Sequence, residues 1–427
     1  MQIYIVHLFL LKLFWRLQNY TFVANYDWLF WKILLTLRLK KTRTKPEVRY
    51  SLSIIMIVTA VAASAAAGVE QPDTVAAKPG FFKKVLGYIA GDLDAPDEEA
   101  ATGLSVIGGP HFDTTTKFGV GVVANYGYRM PGCYSPLPPS NLSVKGDVST
   151  AKFWSAEVQN NMILAADKYR ANSLLKVEYM PLYYWGIGYH NGKNDNNKTR
   201  MKQFRVEFST DFLFRLVPGL YVGPYLHWEY NKADSIDMPE LLDGHGLHQR
   251  SYGVGLTVDY DTRDFITEPT RGIYVHASQV FFPRFLWNGD NGFTRTNLRF
   301  SIYKKAWRGA IIAADLRALF NYGTPSWATM ALWGDSNNMR GYYHGRYRDK
   351  HMMNATIELR QRLWRWLGAV VWLGGGTVFH DSRSMHYLPN VGVGLRWAFR
   401  KHVNIRLDMG FGRAGEKAFI FGINEAF

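Results

Sequence analysis

The chain has 427 residues, 39 of them glycine, with 15% aromatic residues and a formal charge of +15. Its mean hydropathy is slightly negative, which excludes a helical membrane protein, since that needs several unbroken apolar spans of about 20 residues. One cysteine, Cys133, excludes a disulfide framework and a cysteine-rich metal site, while the composition suits a β-barrel, where only alternate side chains touch lipid.

Residues 1–50 hold nine of the basic residues against Asp27 and Glu47, so much of the charge sits before the folded part begins. With no basic helix or stripe elsewhere, no nucleic-acid partner is expected. This segment reads as an upstream extension, a start-site artefact or a removed leader. Residues 51–68 then give a basic flank, an apolar core and an A-x-A-like exit between Ala63 and Gly68, the pattern of a secretory signal peptide. An uncleaved transmembrane anchor is the competing reading. Residues 69–103 form a periplasmic segment in which Phe81, Phe82, Val85, Leu86 and Ile89 share one face of a short amphipathic helix.

From Leu104 to Phe427 the period is two. Sixteen strands are predicted, near 104–110, 117–129, 140–149, 152–165, 168–182, 199–216, 220–232, 247–261, 271–284, 293–306, 309–322, 351–363, 368–379, 387–400, 403–413 and 416–427. In the fifteenth, Val403, Ile405, Leu407, Met409 and Phe411 face one way, and Asn404, Arg406, Asp408, Gly410 and Gly412 the other. A soluble half-buried sheet also alternates. Here, however, the polar faces carry charges and glycines over more than 300 residues, and aromatics flank the apolar faces near strand ends. In lipid every backbone amide needs a partner, so such a sheet must close. The expected fold is all-β: an antiparallel transmembrane barrel of sixteen strands, residues 104–427, preceded by the short helix.

With the N-terminal side in the periplasm, the linker Gly323 to Lys350 is extracellular. It is the longest of all and contains NMRGYYHGRYRDK. Composition alone reads this as a solvated surface loop.

The stretch LWGDSNNMRGYYHGRYRDK resembles the sixth-loop signature of the BamA/TamA-type outer-membrane assembly and secretion barrels, the bacterial surface antigen family. Its core is Arg340, Gly341 and Tyr342. YDTRDFITEPTRGIYV resembles that family's strand-turn-strand signature, and NATIELRQRL its twelfth strand, with Glu358 as the carboxylate. The likeness covers roughly Leu104 to Phe427. It implies a sixth loop folded back into the lumen as a latch, with Arg340 paired to wall carboxylates and Tyr342 and Tyr343 packed around it. Strand parity sets Glu358 with Asn354, Thr356 and Arg360 on the lumenal face. A guanidinium–carboxylate pair in such a confined space can be bidentate. The family's aspartate in the thirteenth strand has no counterpart, because Gly374 stands in WLGGGTVF at that place. Without it the latch is expected to be looser or to use Asp335, Asp349 or Asp381. The 35 residues of 69–103 fall below the roughly 40 needed for an unaided fold, so a POTRA-like module is expected, if at all, from a separate periplasmic partner.

Other groups read as structural. Asp261, Arg263 and Asp264, with Pro269 and Gly272, order a tight periplasmic turn. His245 and His248 read as a polar loop pair before a metal site, and GIGYHNGKNDNNK as a loop without a helix. No nucleophile–histidine–acid constellation is found, so no catalytic residue, cofactor or metal is expected. At the seam, Gly108, Gly109 and Pro110 weaken strand one. Phe419, Phe421, Ile423 and Phe427 share the greasy face of strand sixteen, together with Glu425. In the resembled family this seam is a lateral gate. The implied function is protein insertion or secretion at the outer membrane, with lipid and a polypeptide or lipid substrate as partners. The competing readings are a passive solute channel and, further off, a barrel lipase or protease.

Overall fold

A computed structural model of the protein describes residues 102–113, 115–134, 137–400 and 403–427. The expected leader and the amphipathic helix within 69–103 lie outside the described residues. One sheet takes in sixteen strands: β1 (Gly103–Asp113), β2 (Lys117–Tyr128), β3 (Ser140–Ser149), β4 (Trp154–Leu164), β5 (Tyr169–Tyr184), β6 (Thr199–Val217), β7 (Leu220–Ile236), β8 (His248–Asp261), β9 (Gly272–Phe282), β10 (Phe293–Lys305), β11 (Ala310–Gly323), β12 (His351–Arg362), β13 (Leu367–Phe379), β14 (Leu388–Arg400), β15 (Val403–Phe411) and β16 (Lys417–Ile423). Each pairs antiparallel with the next in sequence, the arrangement that short connections impose. Among the described residues no ladder joins β1 to β16, although the two strands lie beside each other.

The alternation in sequence becomes two unlike faces. On β14, Val391, Val393, Leu395 and Trp397 are exposed, while Asn390 and Arg396 are buried. On β12, Ile357 is exposed and Asn354, Thr356, Glu358 and Arg360 are buried. The sheet therefore turns its apolar side outward and encloses its charges, the reverse of a soluble sandwich.

The linker between β11 and β12 is folded, not a solvated loop. Ala331–Leu332 pairs with Arg348–Asp349 in a two-residue ladder. Trp333, Met339, Tyr342 and Tyr347 pack with Tyr189, Met352, Val378 and Leu388 in one buried cluster. Each large apolar side chain buried this way contributes about 1.5–3 kcal/mol. Together with the ladder and the polar contacts below, this burial offsets part of the entropy cost of ordering the segment.

Two sequence readings are corrected here. GIGYHNGKNDNNK contains a one-turn helix, α1 (Tyr189–Lys193). The linker fixes it from outside: the Gly188 N–H donates to the Arg348 carbonyl at 2.7 Å, and Gly192 abuts the Arg346 carbonyl too closely for a β-carbon. The last strand stops at Ile423, not at the chain end. Asn424 takes a left-handed conformation, φ 65°, and the final residues turn inward.

Candidate functional site

Arg340 is set by two local features of the linker. Met339 and Gly341 both have positive φ, 48° and 122°, which makes a sharp jut of backbone between them. At Gly341 a β-carbon would also come within 2.7 Å of the backbone of Gly410 and Phe411 on β15, so glycine is required twice over. The jut aims the Arg340 side chain into the enclosed face, where it is 1% exposed.

Its guanidinium forks between two carboxylates that are themselves fully buried. One nitrogen pairs with Glu358 of β12, and the other reaches Asp408 of β15 at 2.7 Å. The guanidinium also lies over the Trp372 ring of β13, 3.7 Å from its centroid. Trp372 donates its indole N–H to Asn390 at 2.9 Å, and the Asn390 amide donates in turn to the Arg340 carbonyl. Both charge and backbone of Arg340 are thus gripped by β12 to β15. A bare charge in such surroundings would be prohibitive, so a buried arginine needs this set of partners.

The two carboxylates are shared with wall arginines. Arg360 donates to Glu358 at 2.9 and 3.0 Å. Arg396 and Arg406 donate to Asp408 at 2.6 and 3.3 Å. Arg406 also donates to the Ser336 carbonyl at 2.8 Å, a second hold on the linker.

The replacement expected for the second carboxylate is corrected. Asp335 accepts the Asn338 N–H at 2.7 Å inside the linker, Asp349 pairs with His380 at 3.0 Å, and Asp381 caps the short turn at Ser384. None of the three meets Arg340; Asp408 does. Tyr342 and Tyr343 are also placed otherwise than expected. Tyr342 packs edge-on against Trp333 and Tyr347, and its hydroxyl accepts the Arg413 N–H at 2.9 Å. Tyr343 stacks by its edge on Trp185, and its N–H donates to Glu416 at 3.0 Å. The ring that covers Arg340 is Trp372. Burial pushes the Tyr347 hydroxyl up to about 12 and raises the Glu416 carboxyl despite the Tyr343 N–H and Arg346 beside it.

Sequence reasoning missed Trp372, Asn390, Arg396, Arg406 and Asp408 as a set. For Asn390, Arg396, Arg406 and Asp408 the signal was the parity already used for Glu358, since these four lie on the polar faces of their strands; Trp372 shares its enclosed face with Val370 and Val378, where alternation gives no such signal.

The model of the Omp85 superfamily domain matches residues 125–427, most of the chain. The chain belongs to the Omp85 superfamily. It is an outer-membrane protein, and the members of the superfamily are non-enzymatic assembly and secretion barrels. No curated protein matches it. Among solved structures it is similar to BamA from Haemophilus ducreyi lacking POTRA domains 1–3, with 11% identity and a TM-score of 0.51 over 76% of this chain and 70% of that one. CdiB from Escherichia coli follows at 15% identity and a TM-score of 0.49, over 74% of this chain and 62% of that one. The chain therefore spans under two thirds of that CdiB.

Within this Omp85 chain the remaining predicted residues fall in three places. Asp261 pairs with Arg263 at 2.7 Å, and Asp264 accepts the N–H groups of Phe265 at 3.0 Å and Thr270 at 2.9 Å. Pro269 is buried and Gly272 has φ 112°, closing the turn after β8. Gly108, Gly109 and Pro110 sit in β1, which runs on to Asp113. Phe419 is exposed on β16, as the greasy-face reading has it, but Phe427 is buried in the interior and the Glu425 side chain is ion-paired there. The left-handed residue at Asn424 reverses the alternation beyond it. His245 and His248 go to separate partners, the Leu242 carbonyl at 2.9 Å and the Tyr230 hydroxyl at 3.1 Å.

Proposed function

We propose that the sheet closes as a sixteen-stranded transmembrane barrel and that the protein inserts or exports polypeptide through the seam between β1 and β16. In this reading Arg340, Gly341, Tyr342 and Tyr343 form a lumenal latch on Glu358 and Asp408 that keeps the wall β12 to β15 rigid while the seam opens. The observation that carries the reading is the seam itself. β1 and β16 lie side by side without a ladder, and β1 brings Gly108, Gly109 and Pro110 to that edge. Glycine packs nothing and proline donates nothing to a neighbour, so this edge opens at lower cost than any other. A wall strapped by ion pairs beside a loose seam leaves the motion to the seam. Non-enzymatic action is part of the proposal.

A photoreactive residue at Gly109 or Phe419 tests it in cells. The expected adduct is a polypeptide in transit, absent when the probe sits on β7. Adducts to lipid alone would reject the reading. A passive solute channel is disfavoured by the linker packed against the enclosed face. Large, steady single-channel conductance, unchanged by Arg340→Ala, would restore it.

A further inference from the structure

Six charged side chains close a ring inside the sheet. Arg340 pairs with Glu358; Glu358 accepts from Arg360 at 2.9 Å; Arg360 reaches Glu425 at 3.8 Å. Glu425 accepts from Arg396 at 2.8 Å, Arg396 holds Asp408 at 2.6 Å, and Asp408 returns to Arg340 at 2.7 Å. Three arginines alternate with three carboxylates. One member comes from the linker, four from β12, β14 and β15, and one, Glu425, from the segment past β16.

That segment is held at several further points. Arg360 donates to the Phe427 carbonyl at 2.8 Å and lies 5.0 Å from the centroid of its ring. Ala426 and Phe427 pack against Tyr303 and Ala313. Glu425 accepts from Asn404 at 3.1 Å, and its N–H donates to the Thr267 carbonyl of the β8–β9 turn at 3.3 Å. The segment that leaves the seam strand is therefore docked on the same arginines that balance the latch.

We propose that the ring is an interlock: Asn424–Phe427 and the Arg340 loop hold each other in place, and release of one loosens the other. The proposal rests on the latch reading above and deepens it, because it gives the latch a mechanical connection to β16. The reason is charge sharing. Take Arg340 away, and Glu358 and Asp408 each lose a donor in a buried site, Glu358 keeping Arg360 alone and Asp408 keeping Arg396 and Arg406. Arg360 and Arg396 satisfy them best by turning from Glu425. Each has a buried N–H without a hydrogen-bond partner among the described residues, Arg360 Nη1 and Arg396 Nη2, so each has a donor to spare for the turn. Take Glu425 away, and the same two arginines compete with Arg340 for Glu358 and Asp408. Guanidinium forks make such exchanges without loss of charge pairing.

Hydrogen exchange on the full chain in lipid vesicles tests this, with amides of residues 336–345 and 424–427 as two readouts. In Arg340→Ala, exchange is expected to rise at least tenfold in both segments; in Glu425→Gln, the same rise is expected in 336–345. Arg346→Ala cuts a linker contact outside the ring and is expected to leave 424–427 unchanged. Protection of β5 to β8 reports that the barrel is intact. Where Arg340→Ala does not assemble, Arg340→Lys serves, since it keeps the charge but lacks the two separate nitrogens that reach Glu358 and Asp408. A linker that opens over a tail that stays protected overturns the interlock and leaves the latch standing. A linker that does not open at all overturns the latch itself.

Discussion

The backbone at Gly341 lies flat against the backbone of Gly410, and neither position has room for a side chain. A β-carbon on Gly341 would sit 2.7 Å from Gly410 and Phe411; one on Gly410 would overlap the Arg340 carbonyl. Two glycines on separate elements let the linker reach the wall. Gly410→Ala keeps every charge and every hydrogen-bonding group. Overpacking of this kind costs about 1–3 kcal/mol, and the strain is relieved by pushing the linker away. Lower stability to urea and new protease cleavage within residues 334–346 are the expected outcomes. Full protection of the linker in the variant would show that the contact does not hold it.

Arg340→Ala leaves Glu358 and Asp408 buried and short of a partner, and Glu358→Ala leaves part of the guanidinium bare. Each single change is expected to cost about 3–5 kcal/mol, since a buried pair is broken from one side. The double variant is expected to cost well under the sum. A double-mutant cycle on urea unfolding in vesicles measures the coupling. Additive losses would mean that the pair does not act as a unit.

Trp372 contributes to the site in two ways, its ring face beneath the guanidinium and its indole N–H to Asn390. Trp372→Phe keeps a ring and loses the donor; Trp372→Leu loses both. A desolvated cation–π contact is worth up to about 2 kcal/mol. The leucine variant is therefore expected to lose more stability than the phenylalanine variant. Equal losses would assign the whole effect to the Asn390 hydrogen bond.

The turn after β8 has a defined response to acid. Burial raises the Asp264 carboxyl, but the hydroxyl and N–H of Thr270 and the N–H groups of Arg271 and Phe265 outweigh it and hold the group below its ordinary 3.8. A folded value below the unfolded one gives stability that is complete above 3.8 and lost as pH falls through the folded value. Opening of the amides across 265–271, measured as exchange relative to the unprotected rate at each pH, is expected to be flat above that point and to rise below it. Thr270→Val removes the hydroxyl donor and is expected to move the rise to higher pH. An unshifted profile would show that the hydroxyl does not bear on Asp264.

Period-two patterning determined this fold class from sequence. A strand's side chains alternate by covalent geometry, so Glu358 was assigned the lumenal face, and Asp408 the polar face of its strand, without any knowledge of their partners. Turn chemistry was legible for the same reason: Asp264 and Gly272 act on residues a few positions away. What lay beyond the sequence were the pairings across long separations. Arg340 meets Asp408, 68 positions on, because β12 to β15 curve round to bring their inner faces within reach of one loop. Gly374, where the resembled family keeps an aspartate, hid the fact that the second carboxylate comes from β15. The inward turn of Glu425 and Phe427 was equally hidden, since one left-handed residue at Asn424 inverts the parity of the strand before it. Local geometry is written in neighbours along the chain. Which charges share a dry interior is decided only when the sheet has curved and water has been excluded.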